Sequence, residues 1–146
     1  MELRNTTAVV PDAVTQSMQK ATIEFWLYPY TLQAYNQQLG QNWGSFLFHT
    51  TYSGNIYVGW NTGANRITTP DGTLKANEWA HIAVTINNNV MTLYVNSVKM
   101  GSITSSVYSG LSAFGAFRIG DAYYKFNGKI DELRIWNTCR TQREIA

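Results

Sequence analysis

Acidic side chains in predicted strands are the first residues of this 146-residue chain to consider for chemistry. Asp131 and Glu132 are adjacent, and Glu24 lies in a separate strand-like stretch. Hydrolysis of a glycosidic bond needs two carboxylates on one face, about 5 to 10 Å apart depending on the mechanism. Because adjacent residues of a strand point to opposite faces, Asp131 and Glu132 do not form such a pair. The pattern predicts no catalytic residues and no enzyme.

Histidine and cysteine offer little nucleophilic or metal chemistry. Cys139 is the only cysteine, which excludes an intrachain disulfide and a metal site built from thiolates. The two histidines are His49 and His81, and no spacing ties either of them to Cys139 or to a Ser-His-Asp arrangement. His81 follows Trp79 in a predicted strand, and we interpret it as a core histidine with satisfied hydrogen bonds.

A predicted strand near the end of the sequence changes phase in its middle. Phe126 and Ile130 share one face by period two, whereas Leu133 has the opposite parity. One extra residue at Asp131-Glu132, a β-bulge, produces such a flip. The alternative is a central strand buried on both faces, with the two carboxylates hydrogen-bonded internally.

Asp131 has two candidate roles in this stretch. Its carboxylate could cap local backbone N–H groups at the bulge while Glu132 pairs with Arg134 or Arg118. It is also the best single candidate for a metal ligand, because Ca²⁺ takes six to eight oxygens from carboxylates, carbonyls and water. Two further acids could help to hold such an ion: Asp12 and Asp121.

Length and composition indicate one globular domain over residues 1–146. The chain is 45% hydrophobic and 14% charged, with polar Asn, Thr, Ser, Gln and Tyr in place of the missing charge. A net charge of +2 with scattered basic residues favours neither nucleic acid nor an anionic membrane as a partner. No apolar run is long enough for membrane insertion. Because the sequence stops within a pattern, we expect a module excised from a longer multidomain protein.

Short stretches of alternating hydrophobicity, separated by turn signals, run through most of the chain. In the first strong one, residues 21–28, the odd positions are apolar, and the even positions are either covered by another layer or form an aromatic platform. Residues 78–86 and 90–95 form the clearest hairpin, whereas residues 30–44 are predicted to be loop. Residues 141–145 carry a capping-box pattern that opens a short helix. About ten to twelve short strands with almost no helix indicate a β-sandwich or barrel.

Five segments follow one another in an order and spacing that resemble those of a known family. They are TIEFWLYP at 22–29, WAHIAVT at 79–85, MTLYVN at 91–96, FRIG at 117–120 and FNGKIDELRIWN at 126–137. With Arg140-Thr141 and Glu144-Ile145 behind them, they resemble the laminin-G-like, concanavalin-A-like jelly-roll domains in their bacterial form. The resemblance covers almost the whole chain.

This resemblance implies an all-β fold, a two-sheet antiparallel jelly-roll sandwich with a short C-terminal helical turn. It also implies an extracellular or cell-surface location within a larger secreted protein, and the binding of glycans or of protein surfaces. Many members hold one structural Ca²⁺, for which Asp131 is the candidate ligand here, although the acidic opening loop common in the family is replaced by Arg4-Asn5-Thr6-Thr7. Three tryptophans match family core positions and are assigned to packing: Trp26, Trp79 and Trp136.

Aromatic rings and planar polar groups are the side chains that bind sugars, because pyranose C–H faces stack on rings while amides and guanidinium groups bond the hydroxyls. Binding residues are also concentrated in loops. The predicted ligand-binding residues are Trp43, Trp60, Tyr57, Tyr35, Tyr123, Tyr124, Asn61 and Arg66. The hypothesis is a non-catalytic, lectin-like carbohydrate-binding module. A protein-interaction or adhesion spacer is the alternative, and a glycoside hydrolase is the third interpretation.

Overall fold

Two antiparallel sheets stack on each other in the computed structural model, which describes residues 2–6, 8–10, 18–33, 37–40, 46–60, 65–105, 117–120 and 125–146. These residues form twelve strands and one short helix. The strands are β1 (Glu2–Thr6), β2 (Ala8–Val10), β3 (Lys20–Pro29), β4 (Gln37–Gly40), β5 (Phe46–Thr50), β6 (Ile56–Trp60), β7 (Arg66–Thr68), β8 (Ala80–Asn87), β9 (Val90–Val95), β10 (Val98–Thr104), β11 (Phe117–Ile119) and β12 (Phe126–Trp136), and the helix is α1 (Gln142–Ile145).

Six of the described strands form each sheet, and their order in the sheet departs from their order in the chain. The first sheet runs β1-β12-β3-β8-β9-β10 and the second runs β2-β11-β4-β5-β6-β7. All of the paired neighbours are antiparallel. Strand β12 therefore separates two strands from the start of the chain. The predicted all-β, two-sheet jelly roll with a C-terminal helical turn is confirmed.

A continuous apolar core lies between the two sheets. Alternation along β3 turns Ile23, Phe25 and Leu27 inward, and all three are buried. From the second sheet, Phe48 meets Phe25 edge-on, with ring centres 5.4 Å apart and ring planes at 77°. Removal of this apolar surface from water is the main driving force for the association of the sheets.

One strand lies where the sequence predicted a loop. Strand β4 pairs with β5 on one side and with β11 on the other, so the prediction of loop for residues 30–44 is wrong at residues 37–40. Gln and Gly have little intrinsic preference for strands. The backbone hydrogen bonds offered by two neighbouring strands decide the conformation instead, and no local sequence signal carries that information.

The phase change in β12 is a β-bulge, as predicted. The register with β3 pairs Asp131 with Trp26 and Arg134 with Glu24, so two residues of β12 face one residue of β3. Glu132 adopts a left-handed conformation at the bulge, with a φ of 53°. Directly paired residues share a face of the sheet. The bulge therefore places Asp131 and Arg134 together on the outer face of the first sheet.

The chain that follows β12 is fastened to the outer face of β3. The Thr22 hydroxyl donates to the Thr138 carbonyl at 2.8 Å and accepts the Arg140 N–H at 2.9 Å. Helix α1 comes next, and its Glu144 carboxylate accepts the Thr141 N–H at 2.7 Å and the Thr141 hydroxyl at 2.8 Å, as expected for a capping box. These bonds lower the pKa of Glu144. Among the described residues, no helix is long and apolar enough to cross a membrane.

Candidate functional site

The outer face of β3 carries the side chains from which a site can be built. Alternation turns Glu24, Trp26 and Tyr28 away from the core. Trp26 is 41% exposed, whereas Glu24 is only 3% exposed. The sequence left open whether this face is covered by another layer or forms an aromatic platform. Both occur, because the face is covered around Glu24 and is an open aromatic platform around Trp26.

Aromatic rings from β3 and from the chain entering β8 form the open part of the face. The rings of Trp26 and His81 have centres 5.1 Å apart, and these residues are direct cross-strand partners. The ring of Tyr28 contacts Trp79 at 5.2 Å and Tyr30 at 5.8 Å. Because Trp79 is 43% exposed, two indole rings offer apolar surface to a ligand.

The assignment of three tryptophans to packing is wrong, because Trp26, Trp79 and Trp136 are all exposed on the outer face. The interpretation of His81 as a core histidine is also wrong, since its side chain is half-buried opposite Trp26. The physical reason is parity. Trp26 is an even, outward-facing residue of β3, and His81 and Trp136 pair with the even positions 26 and 22 of that strand. Trp136 instead lies against a cation, with the Arg140 guanidinium 4.6 Å from its ring centre.

Glu24 organises the covered end of the face. Its Oε1 accepts hydrogen bonds from Arg140 Nη1 at 2.7 Å and from Trp136 Nε1 at 2.9 Å. Arg134 Nη1 lies 4.0 Å from the same oxygen. The other oxygen, Oε2, is buried and meets no hydrogen-bond donor among the described residues. A buried carboxylate is tolerated when it is paired in this way.

A cleft of ≈ 660 Å³ opens beside Glu24. This volume lies within the usual range for small-molecule sites. The side chains that give it its chemistry are Glu24, Trp26, Trp79, His81, Arg134 and Arg140. The turn between β9 and β10 and the end of the chain after α1 complete its walls.

A second hollow of ≈ 400 Å³ adjoins the cleft through shared tryptophans. Trp26 and Trp79 line both spaces, and the hollow is completed by Asp131 and Glu132 at the bulge. The bulge thus brings the two carboxylates that stand out in the sequence to the edge of the aromatic platform. Their position is suited to binding a group that lies on an indole.

The turn between β9 and β10 is fixed from two sides. Asn96 Oδ1 accepts the His81 N–H at 2.8 Å, and the Asn96 N–H donates to the His81 carbonyl at 2.8 Å. Gln142 of α1 donates from Nε2 to the Ser97 carbonyl at 2.8 Å. Asn96 and Ser97 both have positive φ, at 48° and 65°. The wall of the cleft is therefore a tight turn held by a strand and a helix.

Charges of both signs meet at the cleft. Arg134 pairs with Glu132 as well as approaching Glu24, which confirms the predicted Glu132–Arg134 pair. Asp131 Oδ1 accepts the Glu132 N–H at 3.0 Å, which confirms the predicted cap. Burial lowers the pKa of His81; the Glu24 charge opposes this shift, and the two arginines reinforce it.

Two of the predicted ligand-binding residues, Tyr57 and Arg66, do not line this cleft. Tyr57 of β6 and Arg66 of β7 lie in the second sheet, where the Arg66 guanidinium is 5.6 Å from the Tyr57 ring centre. Trp60 is the last residue of β6. The remaining predicted residues lie outside the described part of the chain: Tyr35, Trp43, Asn61, Tyr123 and Tyr124.

The sequence contained a signal for the cleft that the prediction did not use. Glu24, Trp26 and Tyr28 share one parity in a strand whose other face is apolar, so one of its faces had to carry large polar and aromatic groups. Simple alternation from Asp131 would turn Arg134 toward the core. Only the extra residue of the bulge returns Arg134 to the outer face, opposite Glu24. The hydrogen bonds that join the chain after β12 to β3 had no local sequence signal, because they link residues more than a hundred positions apart.

The structural Ca²⁺ predicted at Asp131 stays a prediction. One oxygen of Asp131 already accepts a backbone N–H. Among the described residues, no three His, Cys, Asp or Glu side chains are grouped in a way that could hold a metal ion. The two predicted helpers, Asp12 and Asp121, lie outside the described part of the chain. The described donor set around Asp131 therefore falls short of the six to eight oxygens that Ca²⁺ takes.

Sequence comparisons identify a family and one curated relative. A laminin-G family model, described as the concanavalin A-like lectin/glucanases superfamily, matches residues 4–146. Pappalysin-1 of Mus musculus is 28% identical over 91 residues, which are 57% of this chain and 6% of that protein. The chain thus spans a small fraction of the curated relative that it matches.

Two solved structures with bound oligosaccharide share the fold. Domain 4 of AbnA, a GH43 extracellular arabinanase from Geobacillus stearothermophilus, was solved with arabinotriose; it is 21% identical with a TM-score of 0.76, and the match covers 99% of this chain and 73% of that one. The CBM40 of the Ruminococcus gnavus IT-sialidase, bound to α2,3-sialyllactose, is 15% identical with a TM-score of 0.78, and the match covers 99% and 93%. At these identities the likeness establishes the fold.

Proposed function

Because this chain belongs to the concanavalin A-like lectin/glucanases superfamily, we propose that it is a non-catalytic, lectin-like carbohydrate-binding module. The observation that carries the proposal is the outer face of the first sheet, where the exposed indoles of Trp26 and Trp79 flank a polar cleft. The two fold relatives solved with arabinotriose and with sialyllactose support it.

The proposed mode of binding divides the sugar between rings and polar groups. The C–H face of a sugar ring lies on Trp26 or Trp79, where it removes apolar surface from water. The hydroxyls at the edge of the ring meet the polar side of the cleft, which includes His81, Arg134 and Glu24. Because the rings are already held by cross-strand contacts, little side-chain freedom is lost on binding.

The acids of the cleft suit binding better than hydrolysis. A glycoside hydrolase needs one carboxyl group that donates a proton to the leaving group and a second that acts from the other side of the sugar. Here Glu24 Oε1 is taken up by Arg140 and Trp136, and Glu132 is paired with Arg134. A reducing-sugar assay on the polysaccharides that bind the protein tests this, and released product would make the protein an enzyme.

Removal of single rings tests the proposed site. We expect Trp26→Ala and Trp79→Ala each to weaken glycan binding about tenfold or more in affinity electrophoresis and calorimetry, because each removes a stacking surface. Tyr52→Ala is the matched control, since Tyr52 is an aromatic residue that is 69% exposed outside the cleft lining. Full binding by both tryptophan variants would overturn the proposed site.

The residues predicted from the sequence define a second place to test. Arg66→Ala and Tyr57→Ala remove the guanidinium and the ring that lie together on the second sheet. Loss of glycan binding in these two variants, with retention in Trp26→Ala, moves the site to the second sheet. Absence of binding to every glycan, combined with capture of a protein ligand, favours the adhesion spacer.

We propose an extracellular location, with the domain presented by a larger secreted or surface protein. The arabinanase whose domain shares this fold is described as extracellular. The match to 6% of the length of Pappalysin-1 supports a module within a longer chain. Fractionation of the source cells, with detection by an antibody against this domain, tests the location.

A further inference from the structure

Glu24 leaves one buried oxygen for a ligand. The side chain is 3% exposed, and its Oε1 receives the hydrogen bonds of Arg140 and Trp136. Its Oε2 is buried and has no donor among the described residues, although Glu24 forms part of the cleft lining. A buried acceptor without a donor is costly. A ligand that donates an N–H or O–H into the cleft satisfies it, whereas a ligand that brings only acceptors does not.

The cations of the cleft are already paired. Arg140 is bound to Glu24, and Arg134 is bound to Glu132 while approaching Glu24. Because each guanidinium already has a carboxylate partner, a sugar carboxylate would gain less from these arginines than from an unpaired one. It would also approach the remaining acids of the cleft and the hollow, which repel an anion. The site is therefore poorly suited to acidic sugars.

The hollow beside the cleft combines indole rings with acids. Asp131 and Glu132 stand at the edge of Trp26 and Trp79. Glu132 is offset by Arg134, but within the described residues Asp131 is bonded to a backbone N–H and has no cationic partner. The face of an indole attracts a cation, and the attraction grows when the cation is partly removed from water. An ammonium group fits both features of the hollow.

Another cation on the outer face, that of Lys129, contacts other rings. The Lys129 ammonium lies 5.2 Å from the ring centre of Tyr28 and 5.9 Å from that of Tyr30. It lines neither the cleft nor the hollow. It shows the preference of this aromatic row for a cation, while Trp26 and Trp79 are left open to a ligand.

From these contacts we propose that the cleft and its hollow select sugars that carry a free amino group, such as oligomers of glucosamine, over N-acetylated and acidic sugars. The ammonium group lies against the indoles of Trp26 and Trp79 next to Asp131, and a ligand N–H or O–H reaches Glu24. This inference rests on the proposed glycan-binding function, because it names the class of sugar that the same site takes.

The test compares oligomers of equal length that differ in charge. Calorimetry with glucosamine, N-acetylglucosamine, glucose and galacturonic acid oligomers is carried out at a mildly acidic pH with a chelator present, so that Ca²⁺ cannot occupy Asp131. We expect the glucosamine oligomer to bind about tenfold more tightly than its N-acetylated counterpart. The preference should shrink as salt is added, because an exposed ion pair is screened.

Asp131→Asn separates charge from shape. The amide oxygen still accepts the Glu132 N–H, so the bulge is kept while the charge is removed. We expect a loss of about threefold to fivefold for the glucosamine oligomer and no loss for the glucose oligomer. Asp71→Asn is the matched control, since Asp71 is an exposed acid bonded to Asn55 Nδ2 and outside both spaces. Glu24→Gln, which places a donor where Oε2 lies, should weaken glucosamine binding about tenfold.

The outcomes distinguish a failure of the amino-sugar preference from a failure of the proposed glycan binding. Equal or tighter binding of the N-acetylated or acidic oligomer, still lost in Trp26→Ala, overturns the amino-sugar preference and leaves the glycan-binding proposal in place. A preference that is unchanged in Asp131→Asn also overturns it. Absence of binding to all four oligomers and to a wider glycan panel overturns both.

Discussion

Glu24 connects β3 to the chain that follows β12. It accepts hydrogen bonds from Trp136 and Arg140, which are more than a hundred positions away in the sequence. With Thr22, which bonds Thr138 and Arg140, it fixes the segment that leads into α1. The cleft exists because this segment is held above the sheet, so the carboxylate supports both the fold and the shape of the site.

Glu24→Ala should lower the free energy of unfolding by about 2–4 kcal/mol. The substitution leaves Arg140 without its carboxylate, and broken buried pairs are costly. The Arg140 side chain is 22% exposed, so it regains some hydration and the cost stays below that of a fully buried pair. Urea denaturation measures the change. Glu132→Gln, which breaks the exposed pair with Arg134, should cost less than about 1 kcal/mol. Equal losses of stability in the two variants would contradict the role of Glu24 in fastening the segment after β12.

His81→Gln should reduce the loss of stability at acid pH. Burial lowers the pKa of His81 below its ordinary value of 6.5, with Glu24 opposing and the two arginines reinforcing the shift. The unfolded chain therefore takes up this proton at a higher pH than the folded chain does. The wild type loses stability as the pH falls below 6.5, and it has lost the full contribution below the folded pKa. Denaturation curves across this range should show a shallower decline for His81→Gln, and parallel curves would contradict the assignment.

At the scale of single residues, the sequence predicted contacts between near neighbours in the chain. It did not predict which face of the sheet the tryptophans occupy. The Asp131 cap and the Glu132–Arg134 pair were predictable because they join residues within one bulge. The exposure of Trp26 and Trp79 was missed, because strand alternation states which residues share a face but does not say which face meets the core. Only the packing of the second sheet decides that question.

The turn between β9 and β10 holds a serine in a backbone conformation that glycine adopts more readily. Ser97 has a φ of 65°, in a region that glycine occupies without strain. Its carbonyl accepts Gln142 and its neighbour Asn96 is bonded to His81, so the turn is held by its surroundings. The wall of the cleft thus retains some backbone strain.

Ser97→Gly should stabilise the protein by about 0.5–1 kcal/mol. The relief of left-handed strain outweighs the greater freedom of glycine in the unfolded chain. Thermal and urea unfolding measure the gain. Asn88→Gly is the matched control, because Asn88 has a φ of 53° but asparagine tolerates this region, so its gain should be smaller. A loss of stability in Ser97→Gly would show that the turn is unstrained.

Elements with strong alternation were predicted well. Strands β3, β8 and β9 were expected within two residues of their ends, because each carries an apolar face of period two. Strand β4 was missed because its residues become a strand only by pairing with β5 and β11. The bulge in β12 was found because an extra residue changes parity on both sides of it.

The two sheets meet in an apolar core that includes an aromatic pair. Phe25 of the first sheet and Phe48 of the second are in edge-to-face contact, which is a favoured geometry for aromatic pairs. The sandwich as a whole was predictable from the count of short strands and from the family resemblance. The order of strands in each sheet is set by long-range pairing, which alternation within a strand does not encode.

A double-mutant cycle measures the contact between sheets. We expect Phe25→Leu and Phe48→Leu to show a coupling of about 0.5–1.5 kcal/mol in the free energy of unfolding, since each substitution removes the same ring contact. Phe25→Leu combined with Val98→Thr should be additive, because Val98 is 60% exposed on an edge strand. Additivity in the first cycle would mean that the rings pack without a specific interaction.

Removal of calcium tests the remaining prediction about the whole molecule. If Asp131 helps to hold a structural Ca²⁺, a chelator should lower the unfolding temperature and added Ca²⁺ should restore it, because a ligand of the native state stabilises it by mass action. Mg²⁺ at the same concentration is the control. If the chelator leaves the unfolding temperature unchanged, the prediction of a structural Ca²⁺ is wrong.

The position of β12 between β1 and β3 has a consequence for synthesis. On the ribosome, β3 has no partner on one edge until residues 30–125 have been made and β12 emerges. Until then its backbone groups and the rings of Trp26 and Phe25 are open to the same strands of neighbouring nascent chains. The first sheet must therefore be completed after most of the domain has been translated.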